Sequence, residues 1–113
     1  MADMEWTSQL RRGVLELCVL RILKDAQSYG YEIVTTLATH GPLAANENTV
    51  YPLLRRLRTE CYLETFAAES LAGPPRQYFR LTAPGRHRLS ALEKEWTQLA
   101  CAVERCLNKG GVA

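Results

Sequence analysis

Two proline-containing breaks constrain the fold of this chain more than any other feature of its sequence. Gly41-Pro42 ends one helical pattern, and Gly73-Pro74-Pro75 separates two short runs with strand character. Glycine–proline pairs end regular structure because proline lacks an N–H and restricts the residue before it. Three helical segments, a two-stranded hairpin and one long final helix remain. We therefore predict a mostly α-helical fold with a small β-hairpin.

The first predicted helix runs from about Thr7 to Lys24. Apolar residues occupy nearly every side of its middle part, VLELCVLRIL, whereas a surface helix of a small domain needs only one apolar stripe. We therefore expect it to pack against two partners: its own core, and either a second subunit or a further helix of the chain. The second helix is predicted to start at Ser28 as N-cap, and Gly30 in its first turn would permit a close backbone approach.

The third predicted helix, NTVYPLLRRLRTE at residues 48–60, has a proline near its start and arginines along it. Either Asn46 or Asn48 can serve as its N-cap. With Asn48 as the cap, Pro52 loses only the first intrahelical bond; with Asn46 as the cap, Pro52 lies two residues deeper and should bend the axis. The inward-facing residues are predicted to be Val50, Leu53, Leu54 and Leu57. The flank and the outside carry Arg55, Arg56 and Arg58.

A hairpin and a long helix complete the predicted fold. YLETFAAE and YFRLT have strand character, and SLAGPPRQ between them supplies a Gly-Pro-Pro turn. The last helix begins at Thr82 as N-cap, tolerates Pro84 in its first turn and runs to about Asn108. Helices followed by a hairpin are the order of a winged helix-turn-helix. We predict such a domain over residues 1–81, and a C-terminal dimerisation helix with a frayed tail over residues 82–113.

Apolar residues recur along the last helix with the alternating spacing of three and four residues that is typical of a heptad seam. They are Leu89, Leu92, Trp96, Leu99, Val103 and Cys106. A helix of about 25 residues spans nearly 40 Å at about 1.5 Å per residue, which is longer than a winged-helix domain. We therefore predict a two-fold homodimer, with a helix folded back on its own domain as the alternative. The predicted interface comprises Leu15, Val19, Leu89, Leu92, Trp96, Leu99 and Val103.

The composition permits a nucleic-acid partner and argues against several other classes of protein. The 113 residues carry a net charge of +2, with 23% charged side chains. No apolar run reaches the roughly 18 residues of a membrane span, and the N-terminus lacks a secretory signal pattern, so we expect a cytoplasmic protein without membrane contact. The sequence has no phosphate loop, metal-ligand spacing or nucleophile–base motif. We therefore expect no enzymatic activity, no metal and no cofactor.

Four stretches together resemble the PadR family of bacterial transcriptional regulators. They are RRGVLELCVLRIL, YGYEI, NTVYPLLRRL and GPPRQYFRLTAPG, and the spacing between them also matches. The single terminal helix is similar to that of the short subfamily. The resemblance implies a homodimer of winged helix-turn-helix domains that binds a palindromic operator in double-stranded DNA, usually as a repressor. The third helix would enter the major groove and the wing would contact phosphates. The DNA-contacting residues implied in this way are Asn48, Thr49, Tyr51, Arg55, Arg56, Arg76 and Gln77.

Two positions depart from the family pattern. Cys61 directly follows the third helix, where members of the family usually have glycine. Cysteine in the left-handed conformation of a helix C-terminus would cost about 1–2 kcal/mol, so we expect the helix-to-wing junction to close differently. Gln77 lies at the wing tip where lysine is common, which removes one positive charge from the phosphate contact.

The sequence leaves two functional alternatives open. The chain could be a winged-helix adaptor that binds another protein, and not DNA, through the same surface. Trp96 could be only a bulky interface residue, or it could form part of a site for a small planar aromatic effector that releases DNA, as the family's short members suggest. The residues predicted to line such a site are Leu15, Val19, Leu89, Leu92 and Trp96.

Overall fold

The structure is a computed structural model that describes residues 2–70 and 73–112. Its helices are α1 (Ala2–Asp25), α2 (Gly30–Ala38), α3 (Glu47–Thr59) and α4 (Ala83–Val112). The strands are β1 (Ser28–Tyr29), β2 (Leu63–Ser70) and β3 (Gly73–Leu81), and a short 3₁₀ turn at Gly41–Leu43 separates α2 from α3. The predicted winged-helix architecture with a long final helix is confirmed.

Strand β1 is an element that the sequence analysis missed. The sheet has the order β1-β3-β2, and β1 pairs antiparallel with β3 through Ser28 opposite Phe79 and Tyr29 opposite Tyr78. The prediction of Ser28 as the N-cap of α2 is wrong, because the cap position is Tyr29 and no side chain caps it. Ser28 is buried, and its hydroxyl donates to the Ala26 carbonyl oxygen at 3.4 Å. A strand of two residues is too short to produce an alternating pattern.

The Gly-Pro-Pro segment belongs to β3, so its prediction as a turn is wrong. Gly73 pairs with Ser70 and Arg76 pairs with Ala68, with an irregularity in register between them. Proline is tolerated there because β1 pairs with Tyr78 and Phe79, so that, among the described residues, no strand pairs with this end of β3 on its second side. Residues 71–72, between β2 and β3, lie outside the described residues. Gln77 pairs with Ala67, away from the end of the hairpin marked by Ser70 and Gly73, so the prediction that it lies at the wing tip is wrong.

The core joins one face of α1 to the other helices and to the inner face of the sheet. The buried apolar residues are Leu15, Val19, Leu20, Leu23, Ile33, Leu37, Val50, Leu54, Leu57, Leu63, Phe79, Leu81 and Leu89. Each fully buried leucine contributes about 1.5–3 kcal/mol through the hydrophobic effect. The expectation that α1 packs into its own core is confirmed, and three of the four α3 residues predicted to face inward are buried. Leu53, the fourth, is half-buried.

Asn46 caps helix α3. Its side-chain oxygen accepts the Thr49 N–H at 3.1 Å, and its carbonyl oxygen accepts the Val50 N–H at 3.0 Å. The alternative with Asn46 as the cap is therefore confirmed, and Pro52 is the sixth residue of the helix. Pro52 removes the bond that an N–H at this position would donate to the carbonyl oxygen of Asn48.

The junction between α3 and the wing closes through the left-handed conformation, contrary to the expectation for a cysteine. Cys61 has φ +67°, and its N–H donates to the Arg58 carbonyl oxygen at 3.0 Å. The Tyr62 N–H donates to the Leu57 carbonyl oxygen at 2.9 Å. This pair of bonds is a Schellman motif, which satisfies two of the last carbonyls of the helix. Those bonds offset part of the strain at Cys61.

Helix α4 starts where Thr82 caps it, as predicted. The Thr82 hydroxyl oxygen accepts the Gly85 N–H at 3.0 Å, and the same hydroxyl donates to the Cys61 carbonyl oxygen at 2.6 Å. A β-carbon on Gly85 would overlap the Tyr62 carbonyl oxygen, so glycine is required at this close approach. The helix extends to Val112, beyond the predicted end near Asn108. Among the residues described, no helix is both long enough and apolar enough to cross a membrane.

Candidate nucleic-acid interface

The exposed face of α3 presents polar and basic side chains, while its other face is buried in the core. Asn48 and Thr49 are exposed in the first turn, and Arg55 and Arg58 are exposed further along. The first N–H groups of a helix have no intrahelical acceptors and lie at the positive end of the helix dipole. This end of α3 therefore suits a negatively charged partner, even though Glu47 in the first turn lowers the local charge.

The wing and α3 meet in a depression of about 500 Å³. The residues that line it are Tyr29, Gly30, Tyr31, Tyr51, Arg55, Arg58, Arg76, Gln77 and Phe79. Four residues predicted to contact DNA are thus brought together: Tyr51, Arg55, Arg76 and Gln77. Asn48 and Thr49 lie outside it, toward the start of α3.

Three polar residues of this depression were not predicted from the sequence: Tyr29, Tyr31 and Arg58. Arg58 is predicted from the sequence only to lie on the flank or outside of α3, without a role at DNA. The pairing of β1 with β3 brings Tyr29 beside the wing, and that pairing had no signal in the sequence.

Tyr51 covers the start of α2. A β-carbon built on Gly30 would overlap Cε1 of the Tyr51 ring and would lie 2.8 Å from its Cζ. The expectation that Gly30 permits a close approach is therefore confirmed. Burial, followed by the charge of Glu47, raises the pKa of the Tyr51 hydroxyl. The hydroxyl therefore stays protonated at neutral pH and remains a hydrogen-bond donor.

Arg56 differs from the other arginines of α3 because two carboxylates neutralise it. Its Nη2 donates to Glu16 Oε1 at 2.9 Å and its Nη1 donates to Glu60 Oε1 at 2.8 Å. Glu16 also accepts a bond from Arg88 Nε at 2.8 Å. The structure thus places Arg56, predicted to contact DNA, in an ion-pair network that links α1, α3 and α4. The charge of Arg56 is therefore compensated within the chain.

Glu16 is the centre of that network. Burial raises the pKa of its carboxyl, but the hydrogen bonds from Arg88 and Arg56 lower it by more, so the pKa lies below its ordinary value. The Glu16 side chain is only 13% exposed, whereas Arg56 is 47% exposed. The carboxylate therefore stays ionised at neutral pH, and it fixes the side of α3 that faces away from the depression.

The predicted dimer-interface residues fall into two groups. Leu15, Val19 and Leu89 are buried in the core of a single chain, so their side chains are not available to a second subunit or to an effector. The heptad spacing could not distinguish the part of α4 that packs on its own domain from the part that extends beyond it. Leu92 is half-buried. The exposed fractions of Trp96, Leu99 and Val103 are 47%, 59% and 47%.

Trp96 lies between two depressions on the side of the molecule where α1 and α4 meet. One, of about 400 Å³, is lined mainly by apolar residues that include Leu17, Cys18 and Ile22. The other, of about 380 Å³, is lined by Val14, Leu17, Leu92 and Leu99, together with the charged pair Glu16 and Arg88. Both depressions are open on one side in a single chain.

Comparison with known proteins identifies relatives over most of the chain. Residues 19–91 match the model of the transcriptional regulator PadR-like family. The crystal structure of a PadR-like transcriptional regulator from Bacillus cereus has a TM-score of 0.81 and 35% identity, and the match covers 88% of this chain and 96% of that chain. An uncharacterised protein from Lysinibacillus sphaericus is 32% identical over 94 residues, which are 81% of this chain and 86% of that protein.

A more distant structure shares the fold. It is the crystal structure of Bacillus subtilis PadR in complex with operator DNA, which has a TM-score of 0.62 and 21% identity. The match covers 70% of this chain and 46% of that chain.

Proposed function

The chain belongs to the PadR-like family of transcriptional regulators, which are not enzymes, and on that premise we propose that it binds double-stranded operator DNA as a homodimer. Helix α3 enters the major groove and the wing contacts the phosphate backbone. The proposed contacts are Asn48, Thr49, Tyr51, Arg55, Arg58, Arg76 and Gln77. Such a regulator acts in the cytoplasm, where it meets the genome.

The observation that carries this proposal is the unpaired positive charge around the depression between α3 and the wing. Arg55, Arg58 and Arg76 are exposed there, and none of them forms an ion pair with another described residue. Arg56, by contrast, is neutralised within the chain. Unpaired arginines that converge on one surface are the electrostatic footprint of phosphate binding. The Bacillus subtilis relative, which has the same fold, was solved with operator DNA.

The proposed dimer rests on the part of α4 that extends beyond the domain. The exposed apolar residues Trp96, Leu99, Val103 and Leu107 form a strip along this helix. The longest dimension of the chain is 61 Å and the next is 34 Å, because the 30-residue α4 projects outward. A continuous strip of exposed apolar side chains on a protein surface marks an interaction site. We therefore propose residues 82–113 as the dimerisation helix and residues 1–81 as the DNA-binding domain.

The proposed mode of regulation is repression relieved by a planar aromatic effector near Trp96. With Leu15, Val19 and Leu89 excluded by their burial, Leu92 and Trp96 remain as the proposed contacts. Two copies that meet along α4 would close the open sides of the depressions around Trp96. An effector and DNA that favour different separations of the two wings would then exclude each other.

Fluorescence quenching tests the effector proposal. A planar aromatic dye should quench tryptophan emission in the wild type and in Trp6→Phe, and should fail to quench it in Trp96→Phe. Equal quenching in all three proteins would exclude a site at Trp96. Trp6 is the matched control because it is exposed and lies near the start of α1, away from the depressions.

Capture of host genomic fragments by the purified protein tests the proposed DNA binding. The expected result is enrichment of a few fragments that share a palindrome. Affinity for such a fragment should fall steeply with salt, by about 0.9 log units per phosphate contact for each log unit of salt. A winged-helix adaptor would enrich no fragment and would show a shallow salt dependence.

A further inference from the structure

The side chain of Arg76, the proposed phosphate contact of the wing, is stacked on an aromatic ring. Its guanidinium carbon lies 4.4 Å from the centroid of the Tyr29 ring. A cation at this distance is attracted to the face of the ring. Tyr29 pairs with Tyr78, two residues beyond Arg76 on β3, so the two side chains are diagonal neighbours across the β1–β3 pair. The strand register therefore brings Tyr29 and Arg76 together.

Tyr29 is held in turn by a row of three rings that crosses the sheet. Tyr29 and Tyr78 meet edge to face, with centroids 5.4 Å apart and planes inclined at 73°. Tyr78 and Phe66, directly opposite each other on β3 and β2, are stacked with centroids 5.7 Å apart. Aromatic pairs at these separations attract each other. The orientation of Tyr29 is thus fixed by all three strands and does not depend on the short strand β1 alone.

A second arginine at the other end of this row provides an internal comparison. The guanidinium carbon of Arg80 lies 4.5 Å from the centroid of Phe66, but Arg80 Nε also donates to Glu64 Oε1 at 2.8 Å. In residues 2–70 and 73–112, Arg76 has no such carboxylate partner. The charge of Arg80 is therefore compensated, whereas Arg76 is oriented without being neutralised.

We propose that Tyr29 is a positioning residue for DNA binding, which holds the guanidinium of Arg76 ready to contact a backbone phosphate. The inference rests on the proposed function, because the phosphate belongs to the same bound duplex. An aromatic face suits this task, since it attracts the cation but leaves its N–H groups free to donate to phosphate oxygens. Ordering the long side chain in advance also lowers the entropy that is lost when the contact forms.

Binding to a labelled duplex of mixed sequence, about two helical turns long, tests the inference, because phosphate contacts act on every sequence. Tyr29→Leu removes the ring and should weaken binding by about two- to fivefold for each wing that contacts the duplex. Tyr29→Phe keeps the ring and should bind like the wild type. Tyr62→Leu is the matched control, because it removes a ring 5.6 Å from the guanidinium carbon of Arg88, which Glu16 neutralises, and lies outside the row of rings. It should leave affinity unchanged.

Combining Tyr29→Leu with Arg76→Ala shows whether Tyr29 acts through Arg76. Arg76→Ala alone should weaken binding and lower the salt slope by about 1 per wing. In that background Tyr29→Leu should have no further effect, and by itself it should leave the salt slope unchanged. Thermal melting of each variant checks that the comparison is made between folded proteins.

Three results would overturn the inference. The first is that Tyr29→Leu binds as tightly as the wild type. The second is that Tyr29→Phe binds as weakly as Tyr29→Leu. The third is that Tyr29→Leu weakens binding by the same factor in the Arg76→Ala background as in the wild type. The second result would mean that the Tyr29 hydroxyl contacts DNA directly. Failure of the proposed function has a different signature, since the wild type itself would then show no salt-dependent binding to the duplex.

Discussion

The ring of Tyr51 occupies the space that a side chain at Gly30 would need. A β-carbon on Gly30 would overlap Cε1 of this ring and lie 2.9 Å from its hydroxyl oxygen. Gly30 is the first residue of α2 and Tyr51 lies on α3, so this contact sets how closely the two helices approach at the edge of the proposed DNA surface. Tyr51 is 36% exposed, which leaves the ring able to move outward if it is displaced.

Gly30→Ala should displace Tyr51 and weaken DNA binding severalfold. Because the ring can swing toward solvent, the free energy of unfolding should fall by only about 1 kcal/mol, the low end of the range for overpacking. Chemical denaturation and duplex titration measure the two effects. In a Tyr51→Ala background the same change should cost no stability, since the space is then empty. If Gly30→Ala lowered the free energy of unfolding as much in the Tyr51→Ala background as in the wild type, the contact between Gly30 and the Tyr51 ring would be contradicted.

Gly13→Ala is the matched control for that change. A β-carbon on Gly13 meets nothing within 4 Å, and Gly13 lies in the interior of α1. Alanine at an unstrained helical position should therefore raise the free energy of unfolding by about 0.5–1 kcal/mol.

Cys61→Gly should stabilise the protein, because Cys61 holds φ +67° at the end of α3. Relief of the left-handed strain should raise the free energy of unfolding by about 1 kcal/mol, measured by denaturant titration. Cys61→Ala keeps the β-carbon and should give no such gain. If the alanine variant were stabilised as much as the glycine variant, the thiol and not the backbone would be the source of strain.

Glu16→Gln should lower the free energy of unfolding by about 1–2 kcal/mol at neutral pH, allowing for solvent screening of its exposed arginine partners. The pKa of the Glu16 carboxyl is lowered in the folded state, so the stability it contributes is present above its unfolded pKa, about 4.3. That contribution is lost as the pH falls through the folded pKa. The difference between wild type and variant should therefore be constant above about pH 5 and shrink in more acidic solution.

Glu64→Gln is the control for Glu16→Gln. Glu64 forms a single ion pair with Arg80, and both side chains are about half exposed. Its loss should change the free energy of unfolding by about 0.5 kcal/mol or less. A difference between Glu16→Gln and wild type that persisted unchanged into strong acid would show that the carboxylate charge is not what stabilises this network.

Leu99→Asp should separate the proposed dimer into single chains. Leu99 is 59% exposed on α4, and a carboxylate buried at a subunit interface would cost several kcal/mol. Sedimentation analysis should find the wild type as a dimer and Leu99→Asp as a monomer with weakened binding to operator DNA. Gln98→Asp introduces the same charge at the neighbouring exposed position, off the heptad seam, and should leave the dimer intact. A monomeric wild type would contradict the proposed interface.

Local signals allowed most of the fold to be predicted, while pairings between distant segments were missed. Thr82 caps its helix as predicted, and Asn46, one of the two predicted alternatives, caps α3, because capping depends on residues a few positions apart. The ion pair between Arg56 and Glu16 joins residues 40 positions apart, and the contact between Tyr29 and Arg76 depends on a two-residue strand. Neither contact leaves a periodic pattern in the sequence. Which arginines of α3 are ion-paired and which are not is therefore visible only in the structure.

The measurement that tests the central claim most directly is the stoichiometry and salt dependence of binding to a captured genomic fragment. We predict two chains per palindromic site, with affinity that exceeds that for mixed-sequence DNA and falls linearly with the logarithm of salt concentration. Equal affinity for all sequences, or binding of a single chain per site, would contradict the claim that this protein reads an operator as a dimer.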